Sequence, residues 1–259
     1  MGGKGSPMLV KLERLSFEEH GLVLCYPKPS KTEFENRLGE LRQLGVEALE
    51  FSGGKLVGRL HVLGKGNSAL IVKAWIEGGR FALKVRRMDS GKPDVSHEAE
   101  LTRAANRVNV GPRLHASTLN MLLMELVEGL SLPAWLSLSG GKPPRREEVS
   151  SFLSKVLWQC RRLDEAGIDH GELSRASKHI IVRMDGEPCI LDFEKASLKR
   201  RPSNVTSLTQ FFLLKGVIAE RVTGILGAIS REGLIGRLRD YKANPSNKSF
   251  QNILNLIGC

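Results

Sequence analysis

The sequence predicts an α+β protein in which a small antiparallel sheet precedes a mostly helical half. Two observations indicate this architecture. Between residues 55 and 87 the apolar residues form short strand-like runs that are separated by a Gly78-Gly79 turn. From residue 149 onward the apolar residues recur at steps of three and four, which is the spacing of amphipathic helices. The composition, 41% hydrophobic and 26% charged, is that of a folded protein.

Residues 1–56 are predicted to form a leader module with one short helix. Ser30 and Glu33 have the spacing of a capping box, and the residues after them are apolar at helical intervals. Gly45 supplies a stop signal, so we expect a helix from Lys31 to Leu44.

Three antiparallel strands in a row are expected next. They are predicted over Leu60 to Leu63, Ala69 to Ile76 and Arg80 to Arg87. A helix from Ser96 to about Val108 follows, and after it a strand from Met121 to Leu126.

The second half of the chain is predicted to be mostly helical. Gly140-Gly141-Lys142-Pro143-Pro144 favours a flexible surface loop, and a helix is expected over Val149 to Leu163. A hairpin is predicted with strands from His179 to Val182 and from Cys189 to Phe193. From Val205 onward the pattern is helical.

The charge balance favours an anionic partner. The chain carries 39 basic and 28 acidic side chains, a net charge of +11, which suits a nucleotide, RNA or an acidic lipid. Charge alone does not choose among these. Aromatic residues make up only 5%, which disfavours a stacking platform for single-stranded nucleic acid.

Cysteine spacing and hydropathy indicate a cytoplasmic protein without a membrane span. The four cysteines lie far apart and form no CxxC pair, which is typical of a reducing compartment. The most apolar long window, Phe211 to Ile229, contains three charged residues and therefore predicts a buried helix. Residues 1–6 match a short myristoylation pattern, but the same residues could equally form a flexible start.

A glycine-rich stretch between two predicted strands is the first candidate for chemistry. Gly64-Lys65-Gly66-Asn67-Ser68-Ala69 is consistent with a plain hairpin turn. It is equally consistent with a loop whose glycines let backbone N–H groups approach phosphate oxygens. Lys84, in the third strand, points to solvent by strand alternation unless an anionic partner requires it.

Glu98 is the natural partner for Lys84. On the predicted helix it shares a face with the apolar residues Leu101 and Ala105, whereas Glu100 is turned away. An acid on an apolar stripe needs a cation, and a pair with Lys84 would satisfy both charges and aim the ammonium group at phosphates. The alternative is an ordinary first-turn acid that the helix dipole favours.

The order of these parts resembles the protein-kinase-like superfamily. Leu122-Leu123-Met124-Glu125-Leu126-Val127-Glu128-Gly129 looks like the hinge that holds adenine through backbone groups, with Met124 at the gatekeeper position. His170-Gly171-Glu172-Leu173-Ser174 resembles the catalytic loop of atypical kinases, and Ile190-Leu191-Asp192-Phe193-Glu194 resembles their metal-binding Asp-Phe-Gly segment. The resemblance covers residues 60 to about 200. It is nearest to the small atypical serine/threonine kinases of archaea and bacteria, related to RIO, lipopolysaccharide and aminoglycoside kinases.

The resemblance implies a bilobal protein-kinase-like fold that binds ATP and Mg²⁺ between its lobes. The small antiparallel-sheet N-lobe and the hinge would span residues 57–129, and a shortened, mostly helical C-lobe would span residues 130–259. Lys84 would grip the phosphates, and Glu98 would orient it. The implied nucleotide-binding residues are Gly64, Gly66, Lys84, Glu125 and Val127.

The catalytic loop departs from the kinase pattern at two positions. Glu172 stands where the kinases have an Asp, and it would position the acceptor hydroxyl. The Asn that binds a second metal is replaced by Ser177, or by His179 if the loop is two residues longer. Asp192 is expected to hold Mg²⁺. Asp169 is a second acid nearby that we expect to face elsewhere.

A basic stretch follows the Asp-Phe-Glu segment directly. Lys195 and the run Lys199-Arg200-Arg201 could face an acidic substrate or RNA, although a charge run is often only a solvated surface. Lys195 also supplies an alternative for Asp192, which would then be a hairpin-end acid that caps this lysine. The long activation segment of kinases is missing, which implies a short substrate cleft.

Three functions agree with these observations. The first is an ATP-dependent serine/threonine protein kinase. The second is a small-molecule kinase, although the residues after Val205 leave little room for a larger substrate domain. The third is a nucleotide-binding module that docks partners without phosphate transfer, which the departure at Glu172 keeps open. The expected partners are ATP, a protein substrate and, through the basic surface, RNA or a ribonucleoprotein.

Overall fold

The computed structural model describes residues 7–137 and 142–259 and has an α+β architecture. The opening residues 1–6 and the first part of the predicted 140–144 loop lie outside the described residues. The chain divides into two compact units. Unit 1 is Met1–Glu100 with Arg113–Leu126, and unit 2 is Leu101–Pro112 with Val127–Cys259.

Unit 1 is built around antiparallel strands. In chain order the strands are β1 Met8–Lys11, β2 Ala48–Phe51, β3 Lys55–Val57, β4 Leu60–Val62, β5 Gly64–Lys65, β6 Ala69–Ile76, β7 Gly79–Arg86, β8 Leu114–Ser117 and β9 Met121–Glu125. Its helices are α1 Phe17–Leu24 and α2 Lys31–Gln43, with a short 3₁₀ helix at Leu12–Arg14, and α3 Ser96–Arg107 runs from unit 1 into unit 2.

The main sheet of unit 1 has the strand order β1-β2-β6-β7-β9-β8, and β5 pairs with β6. Apolar residues of α1 and α2 share one hydrophobic cluster with Leu83 and Val85 of β7. A second cluster joins Val95 and Ala99, which lie at the start of α3, to Leu122 of β9. Helices therefore cover both faces of the central strands, and the leader residues belong to the same hydrophobic core as the strands that follow them.

The helix predicted in the leader is confirmed, with a modified start. The Oγ of Ser30 accepts a hydrogen bond from the backbone N–H of Glu33, as a capping box requires. The carboxylate of Glu33 binds the buried Arg37 at 2.7 Å instead of returning to the cap. Arg37 also donates to the backbone carbonyl of Arg86 at the end of β7, at 2.6 Å, so α2 is attached to the sheet by a polar contact as well as by apolar packing.

The prediction of three consecutive antiparallel strands is wrong in its first member. β4 pairs with β3 in a separate two-stranded ladder, and the main sheet receives the short β5 instead. The reason is local: Gly58, at a φ of +59°, makes the turn between β3 and β4. The backbone of Val62 approaches Gly53 so closely that a Cβ there would lie 2.4 Å from the Val62 carbonyl oxygen.

Unit 2 contains a small sheet and most of the helices. The strands β10 Gly129–Ser131, β11 Ile180–Arg183 and β12 Pro188–Ile190 form an antiparallel sheet in that order. The helices are α4 Leu132–Ser137, α5 Arg146–Glu165, α6 Asn204–Leu213, α7 Val217–Leu226, α8 Arg231–Ala243 and α9 Asn247–Ile257, with a 3₁₀ helix at Leu173–Lys178. The central helix α5 buries the apolar stripe that the sequence predicts, including Val149, Phe152 and Val156.

Two predictions for unit 2 need correction. The predicted hairpin is β11 and β12, to which β10 adds a third strand beside β11, and its second strand ends at Ile190, so Phe193 is not in a strand. The apolar window from Phe211 to Ile229 is divided between α6 and α7, because Gly216 breaks the helix at a φ of +88°. Among the described residues, none of the helices has the length and apolar character needed to cross a bilayer.

Candidate active site

In unit 1, Lys84 and Glu98 form a buried ion pair. The Nζ of Lys84 donates to the Oε1 of Glu98 at 2.6 Å, and their side chains are 8% and 7% exposed. This contact confirms the predicted pair and excludes a solvent-facing lysine. It also settles the helical register, because Glu100 is exposed. Lys84 is buried despite strand alternation because the second face of the sheet is covered as well.

The glycine-rich stretch forms a tight hairpin between β5 and β6. The backbone N–H of Gly66 donates to the carbonyl of Ala69 at 2.8 Å, which closes a four-residue turn. Gly64 lies in β5 opposite Ile71. The plain hairpin turn is therefore present, and phosphate binding by Gly64 and Gly66 stays a prediction.

Tyr26 of the leader holds this turn, which the sequence does not predict. The ammonium of Lys65 lies 4.6 Å from the centre of the Tyr26 ring, and the guanidinium carbon of Arg87 lies 4.7 Å from it. Arg87 also donates to the carbonyl of Gly66 at 2.8 Å. One aromatic ring thus organises two cations beside the turn through cation–π contacts. Three segments distant in sequence meet here, so no local pattern could reveal the arrangement.

The predicted hinge residues have different environments. Glu125 donates its backbone N–H to the carbonyl of Arg113 at 2.8 Å, and its carboxylate accepts from the Arg113 amide at 3.2 Å. The amide of Glu125 is therefore already used within the protein, and adenine binding by this segment stays a prediction. Met124 pairs with Ala82 of β7 and packs on the cluster that covers Lys84's face of the sheet. Val127 is half-buried at the start of a segment of unit 2.

In unit 2, the predicted catalytic loop rests on the fully buried His170. The Nε2 of His170 lies 3.0 Å from the carbonyl oxygen of Leu191, and its ring packs against the buried Phe193, with ring centres 5.1 Å apart. Burial lowers the pKa of His170, so the neutral imidazole is favoured. This histidine therefore has a structural role: it joins the loop to the Asp-Phe-Glu segment.

Glu172, His179 and Asp192 lie together. One ligand atom from each falls within 4.8 Å of those of the other two. The Nε2 of His179 lies 3.8 Å from a carboxylate oxygen of Glu172, and its Nδ1 lies 3.8 Å from one of Asp192. Asp192 has a φ of +69°, which is unusual for a residue other than glycine and positions its carboxylate at this cluster. The structure thus brings His179 into the group.

Lys195 contacts Glu172, a pairing that the sequence analysis missed. Its Nζ donates to the Oε1 of Glu172 at 2.9 Å, and this hydrogen bond raises the pKa of Lys195. The alternative, in which Asp192 caps Lys195, is not what the structure shows, because Lys195 donates its hydrogen bond to Glu172. The position of Lys195 directly after Asp-Phe-Glu in the sequence indicated that it lies near the site, but not which carboxylate it contacts.

Asp169 is engaged by Arg200. The Nε of Arg200 donates to the Oδ2 of Asp169 at 2.7 Å, and a second guanidinium nitrogen donates to the carbonyl of Lys195 at 2.6 Å. Asp169 and Ser197 also pair through both backbone hydrogen bonds. Its carboxylate is therefore directed to Arg200, and whether Asp169 or Glu172 acts on a substrate stays a prediction.

A buried polar network fixes the base of the loop. The carboxylate of Asp164, on α5, accepts hydrogen bonds from the Asn204 amide at 2.9 Å and from the hydroxyl of Tyr241 at 2.9 Å, and so caps α6. Burial raises the pKa of Asp164. Asn204 accepts from the backbone N–H of His170 at 2.9 Å. These hydrogen bonds connect the start of α6 to the predicted catalytic loop.

A pocket of about 220 Å³ opens beside this loop in unit 2. Acidic, basic and hydroxyl side chains and one glycine are prominent in its lining, which consists of Asp169, Gly171, Leu173, Ser174, Lys195, Arg200, Ser203, Asn204 and Ser207.

Comparison with known proteins does not assign the chain to a family. A scan against protein-family models gives no match, and neither does a search of the curated proteins.

Proposed function

We propose that the chain is an ATP-dependent phosphotransferase with a bilobal protein-kinase-like fold, and that it acts as a serine/threonine protein kinase. The observation that carries this proposal is the buried ion pair of Lys84 and Glu98. Burying two charges costs several kcal/mol per ion before the pair recovers it, so an apolar pair would serve stability as well. A buried lysine held by a carboxylate is suited to gripping phosphate oxygens.

In this proposal unit 2 supplies the chemistry at the acceptor. Glu172 orients the acceptor hydroxyl and accepts its proton, since its carboxylate is 22% exposed on the side chain and therefore within reach of a substrate. Lys195 holds one oxygen of this carboxylate and balances its charge. His170 and Asn204 keep the loop in place.

The cluster of Glu172, His179 and Asp192 fits a divalent cation by the chemistry of its donors. Carboxylates suit Mg²⁺, whereas an imidazole suits Mn²⁺ and later metals better than Mg²⁺. Asp192 and His179 would hold the ion, and the ion would neutralise charge on the nucleotide phosphates. Because one of the donors is a nitrogen, we expect Mn²⁺ to support the activity at least as well as Mg²⁺.

One observation favours a second candidate function, a nucleotide-binding module without phosphate transfer. Glu172 is already engaged by Lys195, and an imidazole stands in the cluster where kinases have an amide. In that case nucleotide binding would depend on Lys84 and Asp192, while Glu172 would be dispensable.

Incubation of the full chain with radiolabelled ATP, with and without added protein substrates, tests both candidates. The kinase proposal expects label on protein serine or threonine, in Mg²⁺ or Mn²⁺. The variant Glu172→Gln should reduce turnover by about 10²- to 10⁴-fold with nearly unchanged ATP affinity.

The variant Asp169→Asn is the matched control, because it removes a neighbouring carboxylate that Arg200 already holds. It should have the milder effect. Loss of transfer in Asp169→Asn with full activity in Glu172→Gln would refute the role of Glu172. Calorimetric binding of Mg-ATP without transfer to protein, water or the chain itself would favour the binding module.

A further inference from the structure

The pocket beside Glu172 in unit 2 has the side chains of an anion site. Lys195 and Arg200 line it together with three hydroxyl side chains, Ser174, Ser203 and Ser207, and with the carboxylate of Asp169, which Arg200 binds. Its volume of about 220 Å³ is sufficient for a group of the size of a phosphate. Ammonium, guanidinium and hydroxyl groups are all hydrogen-bond donors, which is the inventory that recognises phosphate and carboxylate oxygens.

Both cations are oriented but not saturated by their protein contacts. A guanidinium has five N–H donors, and Arg200 uses its Nε on Asp169 and one further nitrogen on the carbonyl of Lys195. The side chains of Arg200 and Lys195 are 50% and 65% exposed, so each remains open to a ligand. The segment from Lys195 to Arg201 carries four basic residues and no acidic one.

Gly171 makes the placement of Arg200 possible. A Cβ at this position would lie 2.6 Å from a terminal nitrogen of Arg200 and 2.8 Å from the carbonyl oxygen of Lys195. Gly171 has a φ of +82°, which side-chain-bearing residues rarely adopt. Gly171, which directly precedes Glu172, therefore lets the guanidinium of Arg200 lie against the backbone of the loop.

We propose that this pocket binds an anionic group on the acceptor, and that the substrate is an acidic peptide, most favourably one that is already phosphorylated near the acceptor serine or threonine. This inference rests on the proposed function, since it is Glu172 that places the acceptor hydroxyl beside the pocket. Arg200 is the specificity-determining residue, and Lys195 serves both Glu172 and the anion. Bidentate contact of a guanidinium with phosphate gives the recognition its geometry.

A peptide is favoured over RNA by two properties of the site. The pocket is small and confined, whereas RNA binding calls for an extended basic surface that follows several phosphates. Aromatic side chains for base stacking are also missing among the residues that line it.

The test measures binding to the full chain without ATP, by fluorescence anisotropy at low ionic strength. The probes are a serine peptide flanked by phosphoserines and the same peptide flanked by alanines, with inorganic phosphate and a short single-stranded RNA as competitors. We expect the phosphopeptide to bind at least tenfold more tightly than the alanine peptide. Arg200→Gln should weaken phosphopeptide binding at least tenfold. Lys199→Gln should change it less than twofold, because Lys199 carries the same charge nearby but does not line the pocket.

A second variant avoids any loss of the Asp169 contact. Ser174→Asp places a carboxylate in the pocket at an exposed position, and it should also weaken phosphopeptide binding at least tenfold while the circular dichroism spectrum stays unchanged. Equal weakening by Arg200→Gln and Lys199→Gln, or tighter competition by RNA than by phosphopeptide, would overturn the proposal in favour of a diffuse basic surface. If inorganic phosphate displaces the probe at the same concentration as unlabelled phosphopeptide does, the proposal that the ligand is a peptide is overturned.

Activity separates this inference from the proposed function. If the chain phosphorylates the two peptides with equal kcat/KM, the kinase proposal stands and the anion pocket fails. If it binds the phosphopeptide through Arg200 but transfers no phosphate, the pocket is an anion site and the kinase proposal fails.

Discussion

The ion pair of Lys84 and Glu98 allows a prediction in which the two single variants respond to pH in opposite directions. In Lys84→Met the carboxylate of Glu98 is left in an environment where its side chain is 7% exposed. At pH 7 the protein can avoid a buried charge by protonating Glu98, whose ordinary pKa is about 4.3. That costs about 2.7 pH units at 1.36 kcal/mol each, or about 3.7 kcal/mol, which sets the upper limit of the destabilisation.

Glu98→Gln removes the carboxylate of Glu98 from the ammonium group of Lys84. Deprotonating a lysine at pH 7 from an ordinary pKa of about 10.4 costs about 3.4 pH units, or about 4.6 kcal/mol as an upper limit. The loss of stability should therefore shrink by up to about 1.4 kcal/mol per pH unit as pH falls for Lys84→Met, and as pH rises for Glu98→Gln. The double variant carries neither buried charge and should be more stable than either single variant.

Urea unfolding of the full chain between pH 5.5 and 8.5, followed by circular dichroism, measures these differences. Glu100→Gln is the matched control on the same helix, and because Glu100 is exposed we expect an effect within about 0.5 kcal/mol at every pH. Destabilisation by both single variants that does not change with pH, or a double variant that loses the sum of the two, would show that Lys84 and Glu98 do not compensate one another's charge.

Three further predictions test other parts of the structure. Tyr26→Ala should lower the free energy of unfolding by about 1–2 kcal/mol in urea unfolding, because it removes two cation–π contacts worth about 0.5–1 kcal/mol each, whereas Tyr26→Phe keeps the ring and should stay near wild type. Burial lowers the pKa of His20, so its contribution to stability is present above pH 6.5 and is lost as pH falls. His20→Gln should therefore flatten the urea-derived stability profile by up to about 1.4 kcal/mol per pH unit below that value. Gly171→Ala should lower the free energy of unfolding by more than Gly186→Ala does, since both glycines have a φ of +82° but only Gly171 would meet other atoms, and equal losses would mean that backbone strain alone decides.

Local signals predicted the elements whose ends are marked by particular residues. The helix expected from Lys31 to Leu44 is α2, Lys31–Gln43, and the helix expected from Ser96 to about Val108 is α3, Ser96–Arg107. Ser30 caps the first of these with its side chain, and the spacing of apolar residues indicates both. These features act within one or two turns, so the sequence displays them directly.

The elements that were missed depend on contacts between distant segments. β1 and β2 of the leader join the main sheet through pairing of β2 with β6, for example Leu49 with Ala74. Each is only four residues long, too short for a periodic pattern to identify. The same explanation holds for β10, whose three exposed residues are a strand only because β11 lies beside them.

The candidate site also combines features that the sequence could indicate with features that depend on contacts between distant segments. Glu98 could be assigned to Lys84 from helical spacing, because the acid lies on the apolar face of α3. The burial of Lys84 could not be predicted, since alternation assumes that one face of the sheet meets solvent. The contacts of Lys195 with Glu172 and of Arg200 with Asp169 link residues 23 and 31 positions apart, and they follow from how the chain returns after β12.

Glu172 and Lys195 are best understood as one feature. Glutamate is longer than aspartate by one C–C bond, about 1.5 Å. In the structure each carboxylate oxygen of Glu172 has a neighbour. Oε1 accepts a hydrogen bond from Lys195 at 2.9 Å, and Oε2 lies 3.8 Å from the Nε2 of His179. An aspartate carboxylate would lie farther from both partners, because the loop backbone is held by the contacts of His170, and the exposed side chain of Lys195 would have to follow it. The longer acid therefore matches a cluster that contains a lysine and a histidine, and this is a physical reason for glutamate at this position.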